Sequence, residues 1–535
     1  MITTASGMTY EEVREEWMPK GIMQSQHVLQ AEKLLEVRPA CISFRDDDCV
    51  RFEETGSYVI LDYGKELCGG IRILTRNTPG IVKWHITFGE SLTECCAKIG
   101  EKNATNDHSP RDMEVVTGMM SDLVFGQTGF RFVRIELIEG AWAMLQSIFA
   151  VSILPHFERE AEITTDDELL NEIIQTAAYT LKLNFQNGYI WDGIKRDRLV
   201  WCGDLHPEIV TSLYLFGDNE NITNSLRFLR ESTPAQDWMN WLPAYSAWWV
   251  INLCDYCRIT GNHEFFEENR EYAQAIIRHF DQCIKDDGSM NLADGGEMEF
   301  FLDWSTLALP ESVAGVASLI ILMAKRYLAV EEHEVCRKVI KKLEGYLEVE
   351  TIAKPIRAFQ VLAGRDHADD AEMLQTDGAK GFSTFMAYYI LLAMSDKGSD
   401  MLPILKEYYG GMLACGATTF WEDFDVEWLP NSARIDEFPK EGQNDLHGDF
   451  GKYCYKNFRH SLCHGWSSGV VAFIIEYILG IHIEDGGKKV HCNPHSSGLK
   501  EIHAKLPLRD GWLEVCVHDG EVKIHAPEAT VIVME

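Results

Sequence analysis

The feature that most constrains this chain is a double change of hydrophobic period. From about Cys41 to Pro155 apolar and polar residues mostly alternate, as in Tyr58-Val-Ile-Leu-Asp62, Ile71-Arg-Ile-Leu-Thr75, Val82-Lys-Trp-His-Ile-Thr87 and Phe130-Arg-Phe-Val-Arg-Ile-Glu-Leu137. Gly, Pro, Asn and Asp clusters separate these runs, which predicts antiparallel strands in a sandwich. From about Glu162 to Ile481 the period becomes helical, with expected helices over 166–183, 207–216, 245–260, 265–285, 311–330, 334–347, 384–394 and 466–479. After His482 alternation returns, in Lys489-Val-His491, Trp512-Leu-Glu-Val-Cys-Val517 and Thr530-Val-Ile-Val533. The first ~35 residues look helical by the same pattern reading.

This order predicts a multidomain α+β chain. Its divisions are 1–158 (helical lead-in and β-sandwich), 159–481 (helical domain) and 482–535 (small C-terminal β-sheet domain). About a dozen helices joined by alternating short and long connections suggest hairpins closed into an (α/α)6 toroid barrel. Its long, Trp- and Asp-rich loops would gather at one end.

Charge narrows the partners. Lys and Arg number 49 against 83 Asp and Glu, a net charge of −34. Nucleic acid and an anionic membrane face would both repel such a chain. No run approaches ~20 uncharged apolar residues, so no bilayer span is expected. The acidic N-terminus, MITTASGMTYEEVREEW, lacks the apolar core of a signal peptide. The 15 cysteines are scattered without framework spacing and read as free thiols in a reducing cytoplasm. A neutral small molecule is the expected partner, and a homodimer through the accessory sheets is left open. No Gly-rich phosphate loop or dinucleotide fingerprint is present. Cys254-x-x-Cys257 lacks a second pair for zinc. No cofactor or metal is expected. Asp46-Asp-Asp48 reads as a solvated turn.

Three segments concentrate chemistry. Trp191-Asp-Gly-Ile-Lys-Arg-Asp-Arg-Leu-Val-Trp-Cys-Gly-Asp204 packs Asp192, Asp197 and Asp204 beside Arg196, Arg198 and two indoles. Spacing alone allows either a cancelled surface cluster or a polar pocket. Gly416-Ala-Thr-Thr-Phe-Trp-Glu-Asp-Phe-Asp425 sets Glu422 in an aromatic run, and Ser461-Leu-Cys-His-Gly-Trp-Ser-Ser-Gly469 sets His464 beside Trp466. Flat rings flanked by carboxylates suit a sugar, whose C–H face stacks while its hydroxyls bond to charge. The same rings are equally suited to filling a large core.

Together these motifs, in this order, resemble glycoside hydrolase family 78, the α-L-rhamnosidases; Tyr58–Ile73 and Gly129–Glu136 resemble its β-sandwich modules. The resemblance implies an inverting glycosidase of the six-hairpin (α/α)6-barrel type, acting on rhamnose-containing small glycosides. It places Asp197 as general acid and Glu422 as general base. It makes Asp192, Arg196, Trp201, Asp204 and His464 substrate-binding, with Trp241, Tyr245 and Trp304 as weaker candidates for an aromatic wall. The chain departs from the family pattern at Gly193-Ile194, where Cys-Pro is usual, at Asp197, where Glu is usual, and at Val200, where Gly is usual. Aspartate is about 1.5 Å shorter. Two alternatives stand beside the enzyme: another (α/α)6 carbohydrate enzyme (a different glycosidase, a phosphorylase or a lyase), and a non-catalytic sugar-binding protein.

Overall fold

A computed structural model describes residues 24–37, 42–44, 49–293, 296–494 and 498–534. The expectations for residues 1–23 and for the turn at 46–48 lie outside them. Mixed α and β content is found as expected. Strands precede a long helical stretch and further strands follow it.

The N-terminal strands form one nine-stranded sheet, in the order Ile42–Phe44, Val50–Phe52, Ala143–Pro155, Tyr58–Asn77, Asp122–Glu139, Val82–Gly89 and Asp112–Thr117. Gln24–Gln30 adds to Ala143–Pro155, and Lys33–Val37 adds to Tyr58–Asn77. All pairings are antiparallel. One expectation is corrected here. Residues 24–30 and 33–37 are strands and not helix, because edge pairing outweighs their helical propensity. The hydrogen bonding is continuous across the strands. Tyr58–Asn77 is a single long strand whose start pairs with Lys33–Val37 and whose end pairs with Ala143–Pro155. Register shifts at Asp62/Leu67 and Gly69/Ile71 mark irregularities along it, as bulges do in long strands. At the first, Gly64 takes φ +81° and donates its N–H to Asp62 Oδ1 at 2.7 Å. Phe52, Trp84, Phe88 and Phe130 fill the sheet's own core.

In the helical stretch six helices pack in succession: Leu205–Phe216, Pro243–Thr260, Ser312–Val330, Lys354–Leu362, Thr384–Asp396 and Gly469–Phe473, the last returning to the first. Their composition explains the position. Every residue of Leu205–Phe216 is buried, as is every residue of Pro243–Thr260 except Arg258; helices apolar on all sides must be covered on all sides. Glu168–Asn184, Glu220–Ser232, His263–Cys283 and Glu334–Leu343 each bury only a stripe. Asp167, Asn262 and Ser383 cap helix starts by accepting backbone N–H bonds. Ser312–Val330 is long and apolar enough to cross a bilayer by length and composition, but Lys325 and Arg326 interrupt it and its neighbours bury most of it.

The connections alternate. Short turns at 217–219, 261–262 and 331–333 lead out of buried helices. Long segments at 191–204, 284–311 and 415–468 lead into them. The segment expected to be one helix at 466–479 is a 3-10 turn, a short α-helix and a π-helical turn in succession.

The C-terminal strands form two sheets where one is expected. Glu501–Leu508, Gly511–His518 and Glu521–His525 are joined by Glu162–Thr165 from before the helices, while Ile481–Glu484, Lys489–Cys492 and Val531–Met534 form a separate three-stranded sheet. One apolar core runs continuously from Phe157 through the helices to Val517.

The N-terminal sheet is tied to the helical region by Arg131, which chelates Asp62 at 2.8 and 2.9 Å and donates to the Gly416 carbonyl at 3.2 Å, all buried. Asp62→Ala leaves that guanidinium with Asp436, at 3.4 Å, as its remaining carboxylate partner beside the Gly416 carbonyl. It should cost about 3 kcal/mol, measurable as a lowered midpoint in urea unfolding.

Candidate functional site

The loop 191–204 is held closed by its first acid: Asp192 N–H donates to the Leu199 carbonyl at 3.0 Å, and Asp192 Oδ1 accepts from Leu199 N–H at 2.9 Å. Between them Asp197 and Arg198 take φ of +56° and +58°, uncommon for non-glycine residues. Gly129 N–H donates to the Ile194 carbonyl at 3.0 Å, and Gly465 N–H to the Asp192 carbonyl at 2.7 Å. The loop is thus pinned from the N-terminal sheet on one side and from the His464 segment on the other.

This pinning brings the three motifs together. Arg196 Nη1 donates to Asp197 Oδ2 at 2.8 Å, and Arg196 Nη2 pairs with Glu422 Oε1. Glu422 Oε2 accepts from Ser461 N–H at 2.9 Å. His464 Nε2 lies 3.8 Å from Asp192, 3.9 Å from Asp204 and 3.8 Å from Glu422. Tyr245 donates its hydroxyl hydrogen to Asp204 Oδ1 at 3.0 Å. The Asp197 side chain is 20% exposed, against 2% for Glu422. The open choice between a surface cluster and a pocket resolves as a largely buried constellation.

Burial governs its protonation. It holds the Asp192 and Asp204 carboxyls well above the usual carboxylate range, and neighbouring acids add to it. Glu422 is raised by burial too, against the opposing pull of Arg196 and the Ser461 N–H. Burial, and then Arg196, hold His464 well below its ordinary value. His464 is therefore neutral near pH 7 and supplies no counter-charge.

A cavity of about 780 Å³ opens beside Glu422, lined also by Asp303, Trp304, Phe382, Tyr455 and Trp466. The expected aromatic wall is redistributed around it. Trp304 lines the cavity. Trp241 is 81% exposed in a short turn and meets only the edge of Trp201, at 6.4 Å. Tyr245 is buried at a helix start with its hydroxyl on Asp204. Trp201 is half-buried, edge-on to Tyr245 at 6.1 Å. Asp197 meets Glu422 across the Arg196 guanidinium and not across open space. Tyr455, Phe382 and Asp303 were not singled out in the sequence, since single aromatic or acidic residues in long loops carry no spacing signal. The Trp466 ring, 4.3 Å from His464, was visible only as its neighbour.

Among the described residues, two buried groups have the donor set for a metal: Asp192, Asp204 and His464, and Glu90, Glu94 and His447. The first coincides with the expected sugar-binding residues, and the second encloses the Lys195 ammonium, 2.9 Å from Glu90 and 3.1 Å from Glu94.

Asp423, on the cavity wall, is pushed up to about 7, by burial first and Asp303 second. A carboxyl raised in the folded state adds stability that is complete below its unfolded value of about 3.9 and is lost as pH rises through about 7. Wild type should therefore lose about 1–3 kcal/mol relative to Asp423→Asn between about pH 4 and pH 8. Urea unfolding of both proteins at the two pH values measures this.

Residues 158–330 match the model of the bacterial α-L-rhamnosidase six-hairpin glycosidase domain. No curated protein matches the chain in sequence. Among solved structures, the chain is similar to a GH78 rhamnosidase of Bacillus sp. GL1 (19% identity, TM-score 0.72, 90% of this chain and 53% of that one). It is also similar to a rhamnosidase from Klebsiella oxytoca with rhamnose bound (19%, 0.68, 85% and 96%). A third is the Streptomyces avermitilis α-L-rhamnosidase complexed with L-rhamnose (14%, 0.69, 96% and 50%). The chain thus spans about half the length of the Bacillus and Streptomyces proteins and nearly all of the Klebsiella one. Residues 158–330 are thus similar to the bacterial six-hairpin glycosidase domain, and the chain shares its fold with these rhamnosidase structures.

Proposed function

We propose that this protein is an inverting glycoside hydrolase that removes terminal α-L-rhamnose from small glycosides in the cytoplasm. In this reading the succession of six buried helices is the inner wall of an (α/α)6 toroid over residues 159–481, flanked by an N-terminal sheet domain to 158 and a C-terminal β domain from 482. The observation that carries the reading is the pair of acids, from loops far apart in sequence, gripped by different nitrogens of one buried guanidinium. Inversion needs carboxyls roughly 6.5–9.5 Å apart, with room for water between base and sugar. An interposed guanidinium favours that wide arrangement over direct carboxyl contact.

Glu422 is the general base that activates water, and Asp197, the more exposed acid, protonates the leaving oxygen. Asp192, Asp204, Arg196 and His464 take the sugar hydroxyls. Trp304, Tyr455 and Trp466 offer flat faces on the cavity side. The similar Klebsiella oxytoca and Streptomyces avermitilis structures, which hold rhamnose, support the choice of sugar. One observation favours a second assignment of the acid: burial keeps Asp192 and Asp204 well above the usual carboxylate range, so either can hold a proton near neutrality.

With p-nitrophenyl α-L-rhamnoside, Glu422→Gln and Asp197→Asn should each lose about 10²–10⁴-fold in kcat/KM, with β-rhamnose as the first product by NMR. Wild-type activity in both variants would refute the assignment. Retained activity in Asp197→Asn together with loss in Asp204→Asn would move the proton donor to Asp204.

A further inference from the structure

Outside the constellation lies a second buried network that the mechanism does not use. Glu90 follows the strand Val82–Gly89 of the N-terminal sheet, and Glu94 sits in the short helix Leu92–Cys96. Both are fully buried, and both pair with Lys195, the residue before Arg196. Lys195 also donates to the Phe458 carbonyl at 3.0 Å and the His460 carbonyl at 2.5 Å. Glu90 in turn accepts from Ser461 Oγ at 3.0 Å and from Leu462 N–H at 2.6 Å. The ion pair thus fixes both segments whose donors hold Glu422: the Ser461 N–H on Oε2 and, one residue beyond Lys195, the Arg196 guanidinium on Oε1.

We propose that Glu90 and Lys195 are positioning residues, through which the N-terminal sheet holds the Ser461 N–H and Arg196 on the Glu422 carboxylate. The proposal rests on the reading of Glu422 as the base. A base must be ionised to act. Burial opposes ionisation of Glu422, and these two donors are what favour it. Facing Glu422 besides Arg196 are His464, Asp197, Cys454 and Tyr455. Its neighbour Asp423 and, from the first motif, Asp204 also face it. Facing Glu90 are Lys195, Glu94 and Glu66. None of these other groups donates a hydrogen bond to the Glu422 carboxylate among the described contacts, so the two braced donors have no substitute. An isolated structural role for Lys195 and Glu90 would lower stability alone; the brace ties them to the protonation of Glu422.

The test is the pH profile of kcat/KM in full-length Glu90→Gln, Lys195→Met and Lys195→Arg, with Ser461→Ala as a milder variant that removes only the hydroxyl arm. Weakening either donor raises the proton affinity of Glu422. The acidic limb should therefore move to higher pH by about 0.5–1 unit in Glu90→Gln and Lys195→Met, less in Ser461→Ala, and stay in place in Lys195→Arg. Hydrogen exchange read by mass spectrometry over 458–464 needs no turnover, and should rise in the first two variants. An unmoved limb with unchanged exchange would overturn the proposal even if the proteins melt at lower temperature. Wild type and Glu422→Gln equally inactive on every glycoside would instead defeat the glycosidase reading, and the exchange measurement would still decide the brace.

Discussion

The constellation depends on one cation shared by two acids. Arg196 is buried and touches both Asp197 and Glu422, while Asp192, Asp204 and Glu208 are buried within the same region. A single guanidinium cannot balance that much negative charge in a medium of low polarity. Protons supply the rest. Burial holds Asp192, Asp204 and Glu208 well above the usual carboxylate range, each with neighbouring acids reinforcing it. Glu208 is the extreme, with neither carboxyl oxygen finding a hydrogen-bond partner. The result is a site in which carboxyls whose protonated form burial favours stand close to carboxylates paired with one guanidinium.

The backbone plan makes that crowding affordable to build. The buried helices are forced into the middle, and three of the six are preceded by a long connection carrying site residues: 191–204 before Leu205–Phe216, 284–311 before Ser312–Val330, and 415–468 before Gly469–Phe473. The returns at the opposite ends are short turns with little room for chemistry. Acids far apart along the chain therefore meet because their loops lead into neighbouring helices of one packed succession, not because of any local motif.

This explains what was legible in the sequence. The helical period of Pro243–Thr260 and Ser312–Val330 and the alternation of Gly511–His518 follow from burial of one face or all faces, which composition records directly. The convergence of Asp192, Arg196, Asp204, Glu422 and His464 was legible only through the resemblance of separated motifs. Trp241 misled because a loop tryptophan beside a helix start has the same composition whether its ring is walled in or exposed. Residues 24–37 misled because Glu-, Lys- and Leu-containing segments obey sheet-edge pairing once a partner strand is present. Glu90 was invisible for a stronger reason: its role arises from contacts with Lys195, Ser461 and Leu462, none of which leaves a mark on the sequence around Glu90.

At position 197 the chain has Asp where the motif it resembles has Glu. The shorter side chain comes with a left-handed backbone at 197 and 198, a conformation that aspartate tolerates better than glutamate. There the Asp197 N–H donates to His108 Nδ1 at 2.7 Å, and its carboxylate lies 3.1 Å from the same ring and 2.8 Å from Arg196. The N-terminal sheet region thus supplies a contact on the side of Asp197 away from Arg196. Glutamate at 197 would lengthen the side chain while placing it on a left-handed backbone that the shorter residue tolerates better, so loop geometry and side-chain length are coupled at this position.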